Sequence, residues 1–193
     1  MSPALHGFEP TGDPDADAFV ASDPLALLTG TLLDQQISIE LAFRGPLRLS
    51  QRVDGFDAAT IAALDPDDLA AAFSAKPALH RFPAAMARRT QALCQHLVDE
   101  HRGSADLWSD GPTATALHAR VSALPGFGEE KTKILLAVLG KRFGVRPRGW
   151  KRHAGAFADD QPRSVADMDS DAGRVRVREW KKRQRAEGRT KQD

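Results

Sequence analysis

Hydrophobic positions along the chain recur at helical spacing, and no stretch sustains the two-residue alternation of a half-buried strand. The clearest stripe is Leu25, Leu28, Leu32 and Ile37, within LALLTGTLLDQQ. Asp23-Pro24 precedes it as an N-cap followed by proline at the first helical position, where a missing N–H leaves nothing unpaired. The pattern predicts a helix from there to Gln36. Ser38 is placed to cap a second helix, IELAFRGPLRLSQ, which Gly45-Pro46 is expected to kink or interrupt. Asp57 and Asp65-Pro66 predict short helices over AATIAAL and DDLAAAF. After the loop SAKPALHRFP a long helix, AAMARRTQALCQHLVDEH, is predicted to end at Gly103. Thr113 starts ATALHARVSAL, and EEKTKILLAVLGKRF follows with acids in its first turn and cations in its last. Beyond Trp150 the periodicity weakens. A short helix near SVADM and a basic one near VREWKKRQRAE are expected, with a frayed end. The fold class is all-α.

At 193 residues the chain suits one domain, or two small lobes sharing a core. No apolar run approaches the ~18–20 residues of a membrane span. The N-terminus carries acids and prolines where a signal peptide needs a basic and then an apolar run. These features predict a cytoplasmic protein without a membrane partner. The single cysteine, Cys94, excludes internal disulfides and a Cys-ligated zinc or iron–sulfur cluster within one chain, and its apolar neighbours predict a buried, inert thiol.

The net charge of +1 hides its distribution. Residues 1–119 hold 8 Lys+Arg against 16 Asp+Glu, whereas residues 120–152 hold 9 against 2. Residues 153–173 hold 1 against 5, and residues 174–193 hold 9 against 3. Two basic blocks on an acidic body predict one face presented to a polyanion.

The first basic block contains Leu124-Pro125-Gly126-Phe127-Gly128-Glu129-Glu130-Lys131-Thr132-Lys133, a helix, a tight turn and a second helix. The two glycines are expected to admit positive φ and to clear side chains from the turn. The amides of the turn and of the next helix then converge on an anion such as a DNA phosphate, with Lys131 and Lys133 in support. A plain αα-hairpin with a glycine turn is the simpler alternative.

LPGFG and its flanking helices resemble the helix–hairpin–helix of the HhH-GPD superfamily of base-excision-repair DNA glycosylases. Leu32-Leu33-Asp34-Gln35-Gln36-Ile37-Ser38 is similar to the QQ-x-S helix junction of the alkylpurine-glycosylase branch. ARRTQAL, residues 87–93, resembles the basic helix start between the two, and the likeness spans roughly residues 20–150. It implies two helical lobes flanking a cleft that holds a flipped nucleotide. It also implies a division into an N-terminal extension packing on the body (1–19), an HhH-GPD-like domain (20–157) and a C-terminal helical extension with a basic tail (158–193). Gly126, Phe127 and Gly128 would grip DNA, with Lys131, Lys133 and Arg148 in support. Gln35 and Gln36 would line the pocket or fill the space of the extruded base, or else cap their own helix. Double-stranded DNA carrying a damaged base is the implied partner, and a nucleoid-associated monomer is expected. No cofactor is expected beyond a monovalent cation at the hairpin carbonyls, and no side-chain metal site or iron–sulfur cluster.

Two family residues have no counterpart. The lyase lysine would stand at Glu130, and the aspartate that stabilises the sugar cation would fall in Arg146-Pro147-Arg148-Gly149-Trp150. The glutamate of the adenine-removing branch would stand at Thr31. Three alternatives follow: Glu130 or Asp34 reaches the sugar from elsewhere, Trp150 stacks on a base beside Arg148, or the protein binds DNA without excision. In the loop of residues 76–83, Lys76 is a candidate amine nucleophile and His80 a candidate pocket residue, against readings as an exposed lysine and a structural histidine. The expectation is a monofunctional DNA N-glycosylase, the alternative a catalytically silent module binding damaged or structured DNA, and a weaker third a protein-binding scaffold.

Overall fold

The computed structural model describes residues 7–193, and the first six residues of the expected N-terminal extension lie outside the described residues. Among the described residues there are ten α-helices and no strand. They are α1 (Pro14–Ser22), α2 (Pro24–Leu33), α3 (Ile39–Ser50), α4 (Ala58–Ala63), α5 (Pro66–Ser74), α6 (Pro83–His101), α7 (Ala114–Ser122), α8 (Glu129–Arg142), α9 (Trp150–Ala154) and α10 (Asp171–Ala186). Two 3-10 turns, Gly155–Ala158 and Val165–Asp167, fill the stretch before α10.

Side-chain caps set most of the starts. Asp23, Ser38, Asp57, Asp65 and Thr113 each accept a backbone N–H from the first turn of the helix that follows. Helix α1 was not anticipated, although Asp13-Pro14 repeats the signal of Asp23-Pro24. Helix α2 stops at Leu33 rather than running to Gln36. Helix α3 is not interrupted and continues through Pro46. Its buried face, including Ala42, Phe43, Gly45, Pro46 and Leu49, is held against the body, so packing outweighs the one backbone bond that proline removes.

Helix α2 is buried at every position from Leu25 to Leu33 and lies against α1, α3, α6 and α8. Helices α4 and α5 pack on α6, while α7, α9 and both 3-10 turns pack on α8, which is buried from Ile134 to Gly140. The two most deeply buried helices therefore meet near the end of α2 and the start of α8. Residues near both ends of the described chain come together, since the Glu9 amide donates to the Met168 carbonyl and Arg174 to that of Glu9. No single helix is long and apolar enough to cross a membrane among the described residues. Cys94 is buried in the core, where desolvation pushes its thiol up to about 12.

Candidate functional site

The hairpin joins α7 to α8 through a turn closed by the Phe127 amide donating to the Leu124 carbonyl (3.0 Å). Gly126 has φ +85°, and a Cβ there would sit 2.4 Å from Leu32 Cδ1, so conformation and space both demand glycine. Gly128 corrects the expectation of a second positive φ: its backbone is extended (φ −74°, ψ −179°) and nothing lies near a Cβ built on it. Helix α8 has no side-chain N-cap, which leaves its first amides available. The Phe127 ring is core, 4% exposed, so the residue has only its backbone to offer at the turn.

Lys131 does not reinforce an anion site. Its Nζ turns inward and donates to the carbonyls of Thr31 (2.7 Å), Leu32 (3.2 Å) and Asp34 (2.8 Å). All three ammonium protons are spent on carbonyls that the end of α2 leaves without helical donors. Burial pulls the ammonium down to about 8, against the opposing pull of the Asp34 carboxylate. Lys133 pairs with Glu129 (2.9 Å), and Glu130 pairs with Lys191 (2.9 Å). The end of the chain is thus not frayed but folded onto the hairpin, where Arg163 also donates to the carbonyls of Lys191 and Asp193.

Acids at the start of α8 oppose an anion on that side of the hairpin. The other side differs: a groove of about 420 Å³ is lined by Arg89, Ala92 and the turn from Leu124 to Gly128, with no carboxylate in its wall. Arg89 also donates to Gln35 Oε1 (2.6 Å), tying the groove to the α2–α3 junction. Arg89 escaped the sequence reading, although it lies in the basic ARRTQAL run.

At the junction, Gln35 Nε2 caps α2 by donating to the Leu32 carbonyl (2.9 Å). Gln36 is exposed and left-handed (φ 58°), a conformation disfavoured for a residue with a Cβ. His80 lies beneath the junction, 2% exposed. Its Nδ1 accepts the Phe82 N–H (3.0 Å), which leaves Nε2 as the donor to the Gln35 carbonyl (2.9 Å). Both ring nitrogens are used in positioning the junction, and burial lowers the imidazole below its ordinary value. Beside it Phe82 is 45% exposed under the Arg81 guanidinium, 4.8 Å from its ring centroid.

A cleft of about 470 Å³ lies between junction and hairpin, lined by Thr31, Asp34, Gln35, Gly126, Gly128, Glu129, Glu130, Lys131, Ile134, Val165 and Lys191. Asp34 also lines the adjoining groove on the far side of the junction. Among the described residues its carboxylate makes no hydrogen bond or ion pair within 4 Å. The remaining candidates stand elsewhere. Lys76 is exposed on its loop, and Arg148 is exposed after α8. Trp150 is not a free platform, because its ring covers Gly140, where a Cβ would meet it at 2.4 Å. No group of three or more His, Cys, Asp or Glu able to hold a metal occurs among the described residues.

A family model described as HhH-GPD superfamily base excision DNA repair protein matches residues 29–192. Among solved structures, an endonuclease III trapped as a covalent intermediate with DNA, in an estranged-adenine complex, is similar at 19% identity with a TM-score of 0.51. That likeness covers 81% of this chain and 68% of the other, and is one of fold. A non-covalent endonuclease III–DNA complex is similar at 17% identity and a TM-score of 0.46, over 80% and 69% of the two chains. No curated protein matches.

Two outcomes follow from the site's internal bonds. Lys131→Met takes the ammonium from the Thr31 and Asp34 carbonyls, with only Leu32 keeping a donor in Gln35. It is expected to cost about 2 kcal/mol, lowering Tm by several degrees in a thermal melt. An unchanged Tm would show that the ammonium does not clamp the two helices. For His80, the unfolded imidazole takes up its proton before the folded one, so stability is complete above about pH 6.5 and declines below it. Urea unfolding between pH 7.5 and 5.5 should show this decline, at most about 1.4 kcal/mol per pH unit, diminished in His80→Asn. Identical pH slopes would contradict the assignment.

Proposed function

The chain belongs to the HhH-GPD superfamily of base excision DNA repair proteins, and from that premise we propose that it is a monofunctional DNA N-glycosylase. In this reading it acts as a monomer on duplex DNA, extruding a damaged nucleotide into the cleft between junction and hairpin. One observation carries the proposal: the unpaired Asp34 carboxylate stands where cleft and junction meet, beside the exposed, left-handed Gln36.

Gly126, Gly128 and Arg89 line a groove without acids, suited to a backbone phosphate. Gln36 is exposed on a junction that His80 holds in place, and Phe82 is exposed beside His80 on the loop before α6. Both are available to fill the gap left by the extruded nucleotide. In the cleft the bond from C1′ to the base nitrogen breaks with its electron pair on the base. Asp34 faces the positive charge that develops on the sugar. Water then adds at C1′ and gives its proton to the carboxylate. The hairpin offers no amine for strand cleavage, because Glu130 occupies the usual position and Lys131 is bound by three carbonyls.

The second reading, a module that binds DNA without excision, draws on the loop from Arg146 to Trp150, which holds no carboxylate. Base release by the parent separates the two, and Asp34→Asn tests the carboxylate. On a duplex from which the parent releases a base, single-turnover release should fall by about 10²–10³-fold while duplex affinity changes less than threefold. Retained release in Asp34→Asn would remove that residue from the chemistry.

A further inference from the structure

Helix α10 crosses the far side of the junction and, with residues 34–40, encloses a groove of about 740 Å³. Arg178, Lys181, Lys182 and Arg185 all line it, at i, i+3, i+4 and i+7, and so form one stripe of the helix. Like charges at that spacing repel and weaken a helix. Elsewhere on α10 Arg174 pairs with Asp171 and Arg176 with Asp169, and Arg183 is exposed to solvent. On the groove face Arg178 lies 3.6 Å from Glu40, but Lys181, Lys182 and Arg185 make no hydrogen bond or ion pair among the described residues. Lys181 is half-buried there, and desolvation pushes its ammonium down despite the pull of Asp34. The floor is apolar, with Ile37, Met168 and Val177 between the charged walls.

Unmatched cations above an apolar floor suit phosphates joined to sugars and bases. The groove also shares Asp34, Gln35 and Lys191 with the cleft, so a strand leaving one enters the other. We infer that this groove is a second DNA-binding site, holding the phosphodiester backbone of the strand that carries the extruded nucleotide. The inference rests on the glycosylase reading and adds to it a grip on the opposite side of Gln36 from the hairpin.

The test is the salt dependence of binding to a fluorescent duplex with one abasic position, between 50 and 200 mM salt. The parent is compared with Lys181→Ala/Lys182→Ala/Arg185→Ala, whose fold is checked by circular dichroism. Losing three phosphate contacts should flatten the log–log slope by about 2–3, so that the parent's affinity falls roughly 16–64-fold more than the variant's across that range. An unchanged slope with binding preserved overturns the inference. So does poly-glutamate binding to the parent that the variant loses while the DNA slope stays the same, which would make the groove a peptide site. If the parent binds no DNA at low salt, the glycosylase reading itself fails, a result distinct from the other two.

Discussion

The ammonium of Lys131, seated on three carbonyls at the end of α2, is the constraint from which the site follows. It joins the last turn of one buried helix to the first turn of another. With that distance fixed, Gly126 comes against Leu32, and the hairpin turn has no room for a side chain there. The end of α2 is then set relative to the turn, and Asp34, Gln35 and Gln36 leave it at a defined angle. A helix C-terminus favours a cation through its dipole and its orphan carbonyls. A desolvated lysine needs acceptors, and each solves the other's problem.

The same arrangement sorts the charges by task. Lys131, Lys133 and Lys191 are occupied by carbonyls or carboxylates, whereas Arg89, Lys182 and Arg185 face open grooves on either side of the junction. Asp34 is the carboxylate left unpaired at the meeting point of the cleft and the α10 groove. In the reading we propose, the carboxylate that the family resemblance places beyond the hairpin is replaced by one at the α2 end. That shift fits an arginine-rich loop in which the Trp150 ring is committed to covering Gly140.

Local signals made most of the fold legible. Capping residues such as Asp23, Ser38 and Thr113 act within a few residues of themselves, so their meaning does not depend on the rest of the molecule. The hairpin and the QQ junction were legible for the same reason. Side-chain direction was not. Whether Lys131 faces solvent or α2 depends on contacts about a hundred residues away in sequence, and nothing near it reports them. The continuous path of α3 through Pro46 and the folded-back tail at Lys191 are likewise settled by tertiary packing. The unpaired state of Asp34 is a property of its surroundings, invisible until those surroundings are assembled.

The most direct measurement is base release from a panel of duplexes, each carrying one altered base, read as alkali-dependent strand breakage. The account predicts release from at least one duplex, with no breakage before alkali because no amine attacks the sugar. Salt-dependent binding to the panel with no release from any member would contradict it.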